Sequence, residues 1–339
     1  MYSFENDYSE GAYSQVLKAL VDTNYEQVTG YGLDKYCIKA SELIKKELKN
    51  NDVDIHFIPG GTPCNTLAIS LLKPYEAVIA CETGHINIHE TGSVEAIGHK
   101  ILTAPTKYGK IKPEQIEEIV LKHPDEHMVK PKMVFISNPT ELGTIYSKQE
   151  LTDISEMCKK HNLYLYLDGA RLGSALVAET SDLSLPDICE LTDIFYIGGT
   201  KNGALYGEAL VIKNEELKPN FRYLMKQKLS MMAKSRVMGV EFIALFTDGL
   251  YYKLAKQANF CAQALKLVLK HYGIEMYVES FTNQLFVIME DKLLRKIKQE
   301  YIVSDWAKYD DTHTVVRFVC SWNCKKNNIK EFYNFLKKL

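Results

Sequence analysis

Four short stretches of the chain gather side chains able to do chemistry. In DIFYIGGTKNGALYGEALVI, residues 193–212, Lys201 leaves an apolar, strand-like run and stands among Gly198, Gly199 and Gly203. Glycines let a backbone approach a ligand closely. A lysine emerging from a buried strand must find a counter-charge, reach solvent or lose its proton, and in the last case its amine attacks carbonyls. A plain turn lysine is the alternative; a nucleotide P-loop does not fit, because GGTKNG lacks the spacing G-x-x-x-x-G-K-[ST]. In LYLYLDGARLGSAL, residues 163–176, Asp168 closes a second apolar run and Arg171 follows closely. Open α/β sheets bind ligands at the carboxyl ends of their strands. An acid there could hold a metal, act as a base or pair with a cationic ring nitrogen, with a structural Asp–Arg pair as the competing reading.

The third stretch, HFIPGGTPCNTLAI at 56–69, runs from a strand-like segment through Gly60, Gly61 and Thr62 into a helical pattern, with Pro63 suited to the first turn. Free N–H groups at that helix start, with the Thr62 hydroxyl, suit a phosphate; an ordinary Thr-capped connection is the alternative. The fourth, ACETGHINIHETG at 80–92, spaces His85 and His89 by four residues beside Glu90. A zinc site lacks both the H-E-x-x-H pattern and a third ligand, so no metal is expected; packing, or an imidazole stacked on a flat cofactor, remains. An amine for a Schiff base, an acid for a pyridinium nitrogen, a phosphate cradle and a stacking imidazole are together what pyridoxal 5′-phosphate requires of a protein.

The elements that must position these groups can be read from periodicity. Strand-like runs fall at 54–58, 76–80, 99–104, 132–137, 163–168, 193–198 and 207–212, with helical patterns between them at 63–73, 113–122, 148–161 and 185–191. The runs at 132–137, 163–168 and 193–198 are almost continuously apolar, as strands covered on both faces are. Strands spaced by helices predict an α/β fold with a mostly parallel central sheet and helices on both faces. Beyond residue 213 the pattern is helical to about 270, then strand-like at 274–279, 284–289 and 313–320, with an amphipathic helix near 326–338: a smaller α+β C-terminal domain. The expected organisation is an N-terminal arm at 1–15, a large cofactor-binding domain at 16–245 and a small domain at 246–339.

Composition narrows the function classes. A net charge of −2 on 339 residues gives no general attraction to nucleic acid or to an anionic membrane, and no apolar run approaches membrane-spanning length. Eight scattered cysteines without zinc-type pairing, and an N-terminus, MYSFENDYSEG, lacking a basic-apolar leader, suggest reduced thiols and a cytoplasmic location.

Several motifs in order, NDYSEGA (6–12), GYG (30–32), GGTPCN (60–65), TGHINIHETG (83–92), NPTELG (138–143), DGARLG (168–173), GGTKNGALYGEA (198–209) and TVVRF (314–318), carry a resemblance that spans the chain. It resembles the threonine aldolases, within the aromatic amino acid β-eliminating lyases and threonine aldolases of pyridoxal-phosphate fold type I. The resemblance implies that Lys201 binds the cofactor covalently, Asp168 pairs with its ring nitrogen, His85 stacks on the ring, and Gly61 and Thr62 hold its phosphate. Arg236 would be an additional phosphate ligand, Arg171 and Arg317 cations near the ring or the substrate carboxylate, and Tyr31 a residue shared across a subunit boundary in a homo-oligomer, a dimer or a homotetramer. Asn6 replaces a small hydroxyl residue and Glu141 stands where many members have a second histidine, which leaves His85, Glu141 and an ordered water on the phosphate as candidates for the catalytic base. The implied reaction on a small amino acid substrate is retro-aldol cleavage of L-threonine or L-allo-threonine to glycine and acetaldehyde. A tryptophanase-like or tyrosine phenol-lyase-like β-elimination is the alternative, with an aminotransferase or a non-catalytic binding protein behind it.

Overall fold

A computed structural model describes every residue, Met1–Leu339. Its strands are Tyr2–Ser3 (β1), Asp54–Ile58 (β2), Glu76–Cys81 (β3), Ile101–Ala104 (β4), Lys130–Ser137 (β5), Tyr164–Asp168 (β6), Ile194–Gly198 (β7) and Glu208–Ile212 (β8). Five more follow: Glu275–Val278 (β9), Gln284–Glu290 (β10), Tyr301–Ile302 (β11), Ser304–Lys308 (β12) and His313–Val319 (β13). Seven of them form one sheet in the order β2-β8-β7-β6-β5-β3-β4. Its pairings are parallel from β7 across to β4, whereas β8 runs antiparallel to both its neighbours.

Side chains alternate across a strand, and here both sets are buried. Val134, Ile136, Leu165, Leu167, Phe195 and Ile197 enter one apolar cluster. Their neighbours Met133, Phe135, Tyr166, Ile194 and Tyr196 enter another on the opposite face. Continuous apolar runs are thus explained by helices covering both sides, and the expected α/β architecture with a mainly parallel central sheet is the one observed. The helices fall where the periodicity puts them, among them Gly61–Ile69, Pro113–Leu121, Lys148–Lys160 and Leu185–Leu191. Two start with the side chain of a serine, Ser147 or Ser184, accepting a backbone N–H of the first turn.

The C-terminal sheet has the order β12-β13-β10-β9, wholly antiparallel. Leu285, Val287, Val316 and Phe318 pack beneath it with Phe332 and with Phe4 from the start of the chain. The N-terminal residues are built into this region: β1 pairs with β11, Phe4 N–H donates to the Ile302 carbonyl at 2.8 Å, and the Phe4 carbonyl accepts from Val319 N–H at 2.7 Å. The helix Leu250–His271 contributes its first turns to the large core and its later turns to this smaller one.

Direction along the sheet decides which groups meet. Strands β2, β3, β5, β6 and β7 all end at one edge, and β8, running the other way, begins there. That edge carries the four stretches singled out above. Two glycines make the close approach possible: a Cβ on Gly169 would lie 1.9 Å from the Tyr196 carbonyl oxygen, and one on Gly198 would lie 2.4 Å from that of Ala170. The turns after β6 and β7 can therefore pass in contact.

Candidate active site

A cavity of about 280 Å³ opens at this edge, and its walls include Gly61, Thr62, His85, Glu141, Asp168, Arg171 and Lys201. Seven of the side chains or backbone groups singled out in the sequence thus share one space, although they are spread over 140 residues. Lys201 is half-buried there, with no ion-pair partner; its Nζ lies 5.8 Å from the centre of the Tyr8 ring. Burial first, and then the Arg171 cation, push its amine below the ordinary lysine range.

Asp168 is held from all sides. One carboxylate oxygen accepts from Ala170 N–H at 2.9 Å and from the Tyr196 hydroxyl; the other accepts from Asn65 Nδ2 at 3.1 Å. Asn65 also donates to Glu90 Oε1 at 2.6 Å and accepts from the Tyr166 hydroxyl at 2.6 Å. Glu90 binds His85 Nδ1 at 2.7 Å and the Ser93 hydroxyl at 2.7 Å. A continuous network therefore links Asp168 to His85. Burial opposes charge on that imidazole, but the Glu90 bond and the nearby Asp168 carboxylate raise its pKa above the usual histidine value. Glu90 orients the His85 ring through Nδ1, and no trio of His, Cys, Asp or Glu is gathered here.

Glu141 faces the cavity from the turn after β5. Its Oε1 accepts from the Ser137 hydroxyl at 2.7 Å and from His85 N–H at 2.9 Å, while Oε2 is buried without a partner. Burial raises its pKa above the usual carboxylate range. Arg171 makes a two-pronged ion pair with the buried Asp7, at 2.7 and 3.0 Å, and Asn283 Nδ2 also donates to Asp7 at 2.8 Å. Its guanidinium is thus already neutralised by its own chain.

The remaining expected site residues lie elsewhere. Arg317, on β13, donates to the Glu5 carbonyl at 3.2 Å and rests 5.4 Å from the Trp306 ring centre; its Nε is buried and unpartnered. Trp306 in turn lies 5.6 Å from His89, and His89 5.5 Å from His85, so Arg317 approaches the cavity's rim through a chain of rings. Asn6 folds its side chain back onto Tyr8 N–H and the Ser9 hydroxyl. Arg236 is not brought to the cavity of its own chain: it donates to the carbonyls of Glu26 and Thr23, both at 2.6 Å, and lines a different recess. Tyr31 is 44% exposed, in a left-handed conformation at φ 61°, also away from that cavity. Asn65, Tyr196, Asp7, Asn283 and Glu208 escaped sequence reading. Asn65 is the N in GGTPCN and Asp7 the D in NDYS, but neither has a spacing that announces a partner more than 100 residues away.

Whether these walls suit pyridoxal phosphate can be tested on the backbone. Gly61 sits where a Cβ would come 2.9 Å from the Tyr196 hydroxyl, so no larger residue fits the start of the helix Gly61–Ile69. The first N–H groups of a helix have no intrahelical acceptor, and here they face a cavity containing an unpaired amine and a fixed carboxylate. The residues fit the group. Residues 18–292 match the model of the beta-eliminating lyase family. The chain is 33% identical to a low specificity L-threonine aldolase of Pseudomonas sp., over 97% of this chain and 95% of that one. A Pseudomonas aeruginosa protein of the same name is 31% identical over the same shares. A solved threonine aldolase from Leishmania major is 46% identical and superposes with a TM-score of 0.98, covering 100% of this chain and 99% of that one. A histidinol-phosphate aminotransferase from Clostridium acetobutylicum, at 15% identity, shares the fold with a TM-score of 0.75 over 100% of this chain and 98% of its own.

Proposed function

Since the chain belongs to the beta-eliminating lyase family, we propose that it is a pyridoxal-phosphate-dependent L-threonine aldolase of low specificity. The observation that carries this reading is that Lys201 and Asp168, delivered by the ends of adjacent strands, open onto one cavity. Pyridoxal phosphate, when bound, supplies a conjugated ring able to take up the electron pair of a bond broken at the amino-bearing carbon. Lys201 would offer it a nucleophilic amine, whose pKa burial and Arg171 push down. Asp168, locked by Tyr196 and Asn65, would present its carboxylate to the cofactor's ring nitrogen and keep that nitrogen protonated. Gly61 and Thr62 would hold the phosphate, and His85, oriented by Glu90, would lie against the ring.

Arg317 binds the substrate carboxylate. Its free Nε supports that role, whereas Arg171, whose fork is taken up by Asp7, has no free pair of donors to offer. Fixing the carboxylate selects which bond at the amino-bearing carbon lies across the ring plane, a positioning effect. Glu141 removes the β-hydroxyl proton: its Oε2 has no partner, and its raised pKa brings it nearer to neutrality, where a general base works best. As that proton passes to Glu141, the bond between the amino-bearing carbon and the hydroxyl-bearing carbon would break, acetaldehyde would depart, and return of the same proton from Glu141 to the amino-bearing carbon would yield glycine.

The enzyme works in the cytoplasm as a homotetramer in which Tyr31 and Arg236 serve a neighbouring copy's site. Exposed apolar side chains around them, Tyr25, Leu33 and Leu229 among them, support an assembly that covers this face. The chain divides into an arm at 1–15, a cofactor domain at 16–245 and a small domain at 246–339. Aldehyde release from threonine, against ammonia release from tryptophan, tyrosine or cysteine, tests the reaction: ammonia without aldehyde would make the protein a β-eliminating enzyme instead.

A further inference from the structure

We propose that Glu208 is the positioning residue of the lysine turn and that its ionisation opposes retention of a phosphorylated cofactor. The inference rests on the reading of Lys201, Gly61 and Thr62 given above. Glu208 opens β8, the strand that starts at the cavity edge, and its register sets it opposite Gly198 on one side and Ile58 on the other. It is therefore flanked by the strand that leads into Lys201 and the strand that leads into the Gly61–Thr62 cradle, and it forms part of the cavity wall while only 4% exposed.

Its hydrogen bonds fix the two residues just before the lysine. Oε2 accepts from Gly199 N–H at 2.7 Å and Oε1 from the Thr200 hydroxyl at 2.7 Å. The Thr200 oxygen accepts from Gly207 N–H at 2.9 Å, and Gly199 N–H also reaches the Gly207 carbonyl at 3.2 Å. The turn from 199 to 207 is thus closed at its base by one carboxyl group. No cation makes an ion pair with it. The groups near enough to interact with it are Lys201, Cys64 on the helix Gly61–Ile69, Tyr166 on β6, Tyr196 on β7, Glu241 on the helix Arg236–Phe246, and Tyr251. Burial raises the pKa of each of the last five, which favours their neutral forms, and Lys201 is the one group of the six able to carry a positive charge.

Burial lifts Glu208 to about 7, against favourable contacts with Thr200, Gly199 and Lys201. Below that value it is neutral; above it the cavity acquires a negative charge. A phosphate in the same small space disfavours the charged form. By reciprocity a proton on Glu208 must favour the phosphate, so affinity falls as pH rises through about 7 and beyond. Pyridoxal, which lacks the phosphate, escapes this effect.

The test titrates metal-free apoprotein, wild type and Glu208→Gln, with pyridoxal 5′-phosphate and separately with pyridoxal, from pH 6.5 to 8.5, following bound-cofactor absorbance. Comparing the two proteins cancels the titration of the phosphate itself, and the pyridoxal arm, which shares the Lys201 amine, isolates the part due to the coupling of Glu208 with Lys201. The wild-type dissociation constant for pyridoxal 5′-phosphate should rise about tenfold more than that for pyridoxal, relative to the variant, over this range, the size of one pKa unit of coupling; equal changes for the two ligands would overturn the phosphate claim. Parallel profiles for the two proteins would overturn the charge claim while leaving the role of Lys201 standing. No chromophore in either protein at any pH would overturn both. Glu208→Ala, which deletes both acceptors, should form the chromophore at least several-fold more slowly at every pH, with Gln restoring much of the rate; an Ala variant as fast as wild type overturns the positioning claim. Should these variants not fold, infrared spectra of apoprotein carrying both Glu141→Gln and Glu241→Gln still decide: a neutral-acid carbonyl band must vanish between pH 6 and 8 and return when pyridoxal 5′-phosphate binds at pH 8. A band unaffected by the cofactor would overturn the proposal.

Discussion

Two walls of one cavity are built on opposite plans. Along β6, every oxygen of Asp168 has a partner, and the network runs without a gap through Asn65 and Glu90 to His85. From the strands on either side of it, Lys201 has no ion pair and Glu141 leaves one oxygen unmatched, and Arg317 at the rim leaves its Nε unmatched. Saturated groups are rigid and hold a ligand in one attitude; buried groups with unmet valence carry a desolvation penalty that a ligand or a proton transfer relieves. The first wall orients. The second reacts.

That contrast can be broken in order of effect. Lys201→Ala should reduce threonine cleavage to background and remove visible absorbance of the purified protein; retained turnover would sink the assignment. Asp168→Ala should lower kcat by roughly a thousandfold, in the range of lost preorganised electrostatics, even though it removes a well-bonded group. Glu141→Gln should lower kcat about a hundredfold or more, as loss of a general base does, with KM little changed; a KM effect alone would make Glu141 a binding group. Arg317→Leu should raise KM for threonine some tens of fold, equivalent to a lost charge-assisted hydrogen bond of about 2 kcal/mol.

The smallest effect concerns stability. Glu241 is fully buried beneath the lysine turn, with Oε2 unpartnered, and burial lifts its pKa to about 8. An acid whose folded pKa exceeds its unfolded value binds its proton more tightly when folded. Stability is therefore greatest at low pH on this account and is lost as pH rises from the unfolded value towards about 8, by at most about 1.4 kcal/mol per pH unit. Glu241→Gln should flatten the decline of Tm between pH 5 and 8; identical slopes would show the carboxyl to be relieved by water.

Much of the frame could be read beforehand because apolar periodicity is local. The runs at 54–58, 132–137 and 193–198 match β2, β5 and β7 to within two residues at either end. Strand β12 could not be read: SDWAK is an exposed edge with no apolar alternation, and β1 and β11 are two residues each. Within the site, groups announced by glycine-rich neighbours, such as Lys201, Asp168 and Gly61, were legible. Partners supplied from other elements were not. Asn65 looks like any helical asparagine, and Glu208 like the first residue of an ordinary strand, until the antiparallel direction of β8 turns its start towards the cavity.

The start of the chain deserves a last thought in terms of synthesis. Phe4 is clasped between β11 and β13, and Asp7, three residues on, neutralises Arg171. Residues 4–7 therefore take their places only once residues 301–319 have been made, and until then the cavity lacks its full complement of charges. A nascent polypeptide not yet extended through β13 would hold Lys201 and Arg171 near each other uncompensated, so competence should arrive late in synthesis.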